Sequence, residues 1–144
     1  MRDKIPYAEH PRLIQMMLDV RRIERQIVRL QDSAKRWESQ KYKITSHISG
    51  MPHGGERLDL CDINQEIDDI NAKVLETRQQ RNVLIAELDT HPDADRLEPE
   101  EYEALKYKYI HKLTHEAIAE TMHVSVATVN RRINSGYDRL LIGK

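Results

Sequence analysis

The chain has no phenylalanine, one tryptophan, one cysteine and only five glycines and five prolines in 144 residues. A chain so poor in large aromatics does not build a large globular core, and one so poor in turn formers does not build many short strands. A single cysteine, Cys61, excludes an intrachain disulfide framework and fits a reducing compartment. No apolar run is long enough to span a bilayer. The opening Met-Arg-Asp-Lys-Ile-Pro-Tyr lacks the apolar stretch of a signal peptide, so the expected location is the cytoplasm. There is no phosphate loop, nucleophile elbow or triad spacing, and no Cys pair or His-Glu-x-x-His pattern. We therefore expect no enzyme, no cofactor and no metal. His111 and His115, four apart, and His47 and His53 near Cys61 are the only metal-like spacings. A helix start at Thr114 would separate the first pair.

What is present is charge, a third of all residues, and it is unevenly spread. Residues 1–57 carry a net +5, residues 58–103 a net -10 and residues 104–144 a net +4, giving -1 overall. Such a composition favours long solvated helices.

Heptads written from Leu13 place Leu13, Val20, Ile27, Ala34, Lys41 and Ile48 at a, and Met16, Ile23, Leu30, Trp37 and Ile44 at d. Only Lys41 interrupts this coiled-coil seam. Pro11 sits where a helix start tolerates proline. A helix of about 37 residues would be roughly 55 Å long. The pattern stops at Ser49-Gly50-Met51-Pro52-His53-Gly54-Gly55, which reads as a loop. It resumes through Leu60, Ile63, Ile67, Ile70, Val74, Thr77, Arg81, Leu84 and Leu88, and ends near Thr90-His91-Pro92. Two long helices joined by a short loop fold back antiparallel. The first is rich in Arg and Lys (Arg21, Arg22, Arg25, Arg29, Lys35, Arg36). The second carries Glu66, Asp68, Asp69, Glu76, Glu87 and Asp89, so opposite charges are expected to flank the seam. Met17, Leu18, Val28, Leu75, Val83 and Ile85 lie off the seam and need cover, from a second hairpin in a homodimer or from the C-terminal domain.

The last third reads as a helix-turn-helix. Pro99 opens a helix with Glu100, Glu101 and Glu103 near its positive end and Tyr102, Leu105, Tyr109 and Ile110 on its apolar face. Thr114 is a good N-cap for a short helix whose Ile118, Ala119 and Met122 face inward. His123 takes the corner, where glycine is usual, Val124 plugs the core and Ser125 caps the last helix. Val129, Ile133, Tyr137 and Leu140 form that helix's buried stripe. The opposite face carries Val126, Ala127, Asn130, Arg131 and Asn134. Asn pairs with adenine and Arg with guanine, and Val or Ala touches a thymine methyl. Ser125, Thr128 and Arg132 on the flanks, and Lys112 ahead of the motif, suit phosphate oxygens.

Residues 105–140 resemble region four of bacterial sigma factors, and are closer still to phage late-operon regulators of the ArpU and RinA type. The likeness rests on the Tyr-Ile-x-x-Leu-Thr opening, Ile118-Ala119, Val124-Ser125, Thr128-Val129, Arg132-Ile133 and Arg139-Leu140. His123 departs from the usual corner glycine. The resemblance implies that the last helix reads double-stranded DNA through Val126 to Asn134 and that RNA polymerase is a possible partner. A sigma factor also needs a promoter-melting domain rich in aromatics, and the first ninety residues offer only Tyr7, Trp37 and Tyr42.

The expected architecture is all-α: a long antiparallel helical hairpin over residues 1–90, a coiled-coil oligomerisation element; a linker over 91–98; and a helix-turn-helix domain over 99–144. The expected function is a sequence-specific transcriptional regulator in a bacterial host cell, acting as an activator of phage late genes and dimerising through the hairpin. The rival readings are a small terminase subunit for DNA packaging and a polymerase-binding module that does not read DNA.

Overall fold

The computed structural model describes residues 5–48 and 54–142, with side chains over 5–44 and 60–142. Among these residues it is all-helical, with five α-helices and no strand. Helix α1 spans Arg12–Ile48, α2 Gly54–Asp89, α3 Pro99–Tyr109, α4 His115–Met122 and α5 Val126–Ile142. Short 3-10 turns occupy Tyr7–Glu9 and Ala94–Arg96. No helix among the described residues is long and apolar enough to cross a membrane.

Helix α1 has the expected length of 37 residues. It starts after Pro11, whose carbonyl accepts from Gln15 N at 3.0 Å while its missing N–H costs nothing there. The Gln15 side chain fastens the preceding turn by donating to the carbonyls of Tyr7 (3.1 Å) and His10 (3.2 Å). Helix α2 begins earlier than the heptad pattern. Gly54 and Gly55 are helical rather than part of the loop, and the remainder of that expected loop, residues 49–53, lies outside the described residues.

The chain divides into two compact units, residues 1–22 with 82–144, and residues 23–81. The division crosses both long helices instead of falling at residues 90 and 99. In the second unit α1 and α2 pair antiparallel. Arg81 Nη1 meets Glu24 Oε1 at 3.1 Å, and one crevice is lined by Gln31 and Ala34 from α1 and Asn71 and Val74 from α2. Advancing along α1 thus means retreating along α2. Ile27, Ile63, Ile67, Val74 and Thr77 are buried on the seam. Thr77 satisfies its buried hydroxyl by donating to the Lys73 carbonyl at 2.7 Å. The polarity of the Arg81–Glu24 pair reverses the expectation, since the acid lies on the basic helix and the base on the acidic one. Val28 and Leu75 stay 53% and 61% exposed.

The first unit holds the largest core. Leu13, Ile14, Met17 and Val20 of α1 and Leu88 of α2 are fully buried, in one cluster with Leu97, Leu105, Ile118, Val129, Ile133, Tyr137 and Leu140. Leu97 lies inside residues 91–98, so that segment anchors the core as well as connecting it. The cover needed by Met17, Leu18 and Ile85 comes from this unit, while Val83 remains exposed.

Candidate nucleic-acid interface

The three C-terminal helices are held by defined ends. At α3, Glu101 Oε1 accepts from the backbone N–H of Glu98 at 3.0 Å, the reach-back half of a capping box. The same carboxylate is 7% exposed and meets Arg139 of α5 at 3.2 Å. Thr114 Oγ1 accepts from Ala117 N at 3.2 Å and starts α4. Helix α4 ends at His123, in the left-handed region at φ 58°. Val124 N returns to Ala119 O at 3.0 Å and His123 N to Glu120 O at 3.4 Å, the paired bonds of a Schellman ending. A histidine thus does the work of the usual corner glycine, in an undistorted corner. Ser125 Oγ accepts from Thr128 N at 3.2 Å and starts α5.

Helix α5 is sided as its sequence implies. Val129, Ile133, Tyr137 and Leu140 are buried, and so is Gly136, where α5 crosses α3. A Cβ there would lie 3.0 Å from Leu105 Cδ1 and 3.2 Å from Glu101 Cβ, so glycine permits the close approach. His10, just ahead of α1, reaches this helix from the far end of the sequence. Its Nδ1 lies 2.7 Å from the Tyr137 hydroxyl, and it is 4% exposed. Burial pushes the His10 imidazole below its ordinary pKa, and Lys108 adds to the shift, against opposing effects of the Ile5 carbonyl and Glu9. At α3 burial is also the main cause of a raised Tyr102 pKa, reinforced by its 2.6 Å bond to Asp89.

The residues expected to meet DNA sit as follows. Val126 is 37% exposed, and Ala127, Asn130, Arg131 and Asn134 are exposed. At 100° per residue these five fall within one arc of about 140° on α5. Arg132 and Thr128 are half-buried on the flanks. Ser125 is exposed, but its hydroxyl also bonds Thr128 Oγ1 at 2.9 Å, so both hydroxyls are engaged in the cap. Lys112 is exposed in the turn between α3 and α4 and takes φ 54°. Composition gives no sign of that left-handed residue.

One arrangement escaped the sequence reading. His115, the first residue of α4, bonds through Nδ1 to Oδ1 of Asn130. The bond fixes the Asn130 amide with its NH2 group free to point elsewhere. His111 lies instead beside Tyr107, ring centroids 6.0 Å apart. Among the described residues no cluster of three or more His, Cys, Asp or Glu could hold a metal. The His47 and His53 spacing lies outside the described side chains.

Residues 94–140 match the family model described as Sigma-70, region 4. The chain matches no curated protein and no solved structure. The C-terminal helices α3 to α5 are thus similar to sigma-70 region 4, with α4 and α5 in a helix-turn-helix arrangement. The matched segment contains α3, α4 and most of α5, and leaves α1 and α2 outside it.

Proposed function

We propose that the protein is a sequence-specific transcriptional regulator that reads the DNA major groove with α5. The observation that carries this reading is the exposed arc Val126, Ala127, Asn130, Arg131 and Asn134, on a capped helix inside the region 4-like segment. Asn130 and Arg131 supply base-edge hydrogen bonding, Val126 and Ala127 apolar contact with thymine methyls, and Arg132 and Lys112 phosphate contacts. Ser125 and Thr128 build the cap that aims the helix and meet the backbone from that position.

Within this reading the chain is a regulator of the ArpU and RinA type, an activator of phage late genes that contacts RNA polymerase near the promoter. The paired segment of α1 and α2 is its dimerisation element, supported by the exposed Val28 and Leu75. A dimer would present two α5 helices to successive half-sites about 34 Å apart.

The test is selection of bound duplexes from a random pool, followed by binding of the Asn130→Ala/Arg131→Ala double variant. A palindromic consensus is expected from the wild type. The double variant should lose roughly 1–3 kcal/mol of discrimination per read base pair while its thermal melt is unchanged. Retention of full sequence preference overturns the reading. Equilibrium sedimentation should give a dimer; a larger ring would point to DNA packaging instead.

A further inference from the structure

Beside the start of α5 lies an open groove of about 830 Å³. Its walls bring together three cations from three parts of the chain: Arg21 of α1, Lys108 of α3 and Lys112 of the turn before α4. Glu116 is the single carboxylate among its lining residues, so the groove is net positive in a chain of net charge -1. Val126 and Asn130, two residues of the proposed reading face, line the same groove. Lys108 is steadied over the Tyr109 ring, its Nζ 5.4 Å from the centroid.

We infer that this groove seats a phosphate strand of the same duplex whose bases α5 reads, and that Arg21 is a DNA-backbone anchor supplied by the long helix. The inference rests on the proposed reading of α5. In helix-turn-helix complexes the first residues of the recognition helix meet base edges while neighbouring elements cross the backbone. A strand passing Val126 and Asn130 therefore runs next to Lys112, Lys108 and Arg21. Phosphate contacts of this kind fix register and orientation without reading sequence. Arg21 lies outside the region 4-like segment, so the anchor is one that the helix-turn-helix alone does not contain. Of the α1 bases, Arg12, Arg21 and Arg22 belong to the compact unit of the reading head and only Arg21 lines the groove, whereas Arg25, Arg29, Lys35 and Arg36 belong to the paired helices.

The experiment is a salt titration of duplex binding by the full chain, using the selected duplex and a random one. Arg21→Gln should weaken both to the same degree. The slope of log affinity against log salt should become shallower by about 0.9, the release of one phosphate's counterions. Over a roughly fourfold rise in salt, this variant then loses about 3.5-fold less affinity than the wild type. Arg21→Lys should restore the slope, and Arg36→Gln, in the other compact unit, should leave it alone. An unchanged slope in Arg21→Gln overturns the inference and leaves the groove to some other partner. So does an equal change in Arg36→Gln, or failure of Arg21→Lys to restore the slope. If the wild type binds no duplex even at low salt, the reading of α5 falls as well. If it binds with a preference that Arg131→Ala removes but ignores Arg21→Gln, only the groove assignment falls.

Discussion

Acidification should loosen the reading head through His10. The ring is 4% exposed, and its Nδ1 shares a hydrogen bond with the Tyr137 hydroxyl, 2.7 Å away. Burial is the largest cause of its lowered pKa. In the unfolded chain the ring titrates near about 6.5. As pH falls below that value the unfolded state takes up a proton that the folded state resists, so folding stability falls with pH. A single site can contribute a slope of at most about 1.4 kcal/mol per pH unit, or at most about 2 kcal/mol between roughly pH 6.5 and 5. For a cooperative unit of this size, that corresponds to about 4–8 °C of Tm per kcal/mol. Urea unfolding followed by circular dichroism at a series of pH values measures it. His10→Asn keeps a hydrogen-bonding group near the Nδ1 position and removes the titration, so its stability should be nearly flat over that range. Tyr137→Phe should be weaker by about 1–3 kcal/mol at neutral pH, because it strands a buried ring nitrogen. It should nevertheless keep the pH slope, because burial and not the hydroxyl dominates the shift. A wild type with no fall between neutrality and about pH 5 would refute this reasoning, as would an equal fall in His10→Asn.

Two further outcomes follow from the ends and crossings of α5. Ser125→Ala removes the acceptor for Thr128 N and should cost about 1 kcal/mol, read as a lower urea midpoint with an unchanged m-value. Gly136→Val should cost roughly 1–3 kcal/mol by the same measurement, because even a Cβ meets Leu105 at 3.0 Å and that side chain is fully buried. Gly136→Ala should lie near neutrality, since a helix-propensity gain of about 1 kcal/mol offsets the crowding.

Local rules made much of this fold legible. The heptads from Leu13 give the length of α1, and the caps Thr114 and Ser125 begin α4 and α5 where they stand. The stripe Val129, Ile133, Tyr137 and Leu140 is buried as its spacing requires. The misses share a cause: each joins residues that no local period links. His10 finds Tyr137 across 127 positions, and His115 finds Asn130 across the corner between two helices. Glu101 looked like a first-turn acid of α3 and proves to be nearly buried against Arg139. The helical start at Gly54 defeats composition outright, because paired glycines in a weak helix former's context read as a loop. The exposed arc of α5 was visible as a pattern; that one of its members is tied to α4 was not.

The unit containing α5 joins residues 1–22 to residues 82–144, with residues 23–81 inserted between them. This fixes an order of events during synthesis. Leu13, Ile14, Met17 and Val20 leave the ribosome long before Leu105, Ile118 and Val129, their partners in the core, have been made. At about 5–20 residues per second the wait lasts several seconds. Over that interval the growing chain has α2 to shelter part of α1, but nothing yet to occupy the apolar surface around Leu13. The head therefore closes only when the last helix emerges, and a nascent chain halted within α2 displays a sticky amino-terminal segment with no head to receive it.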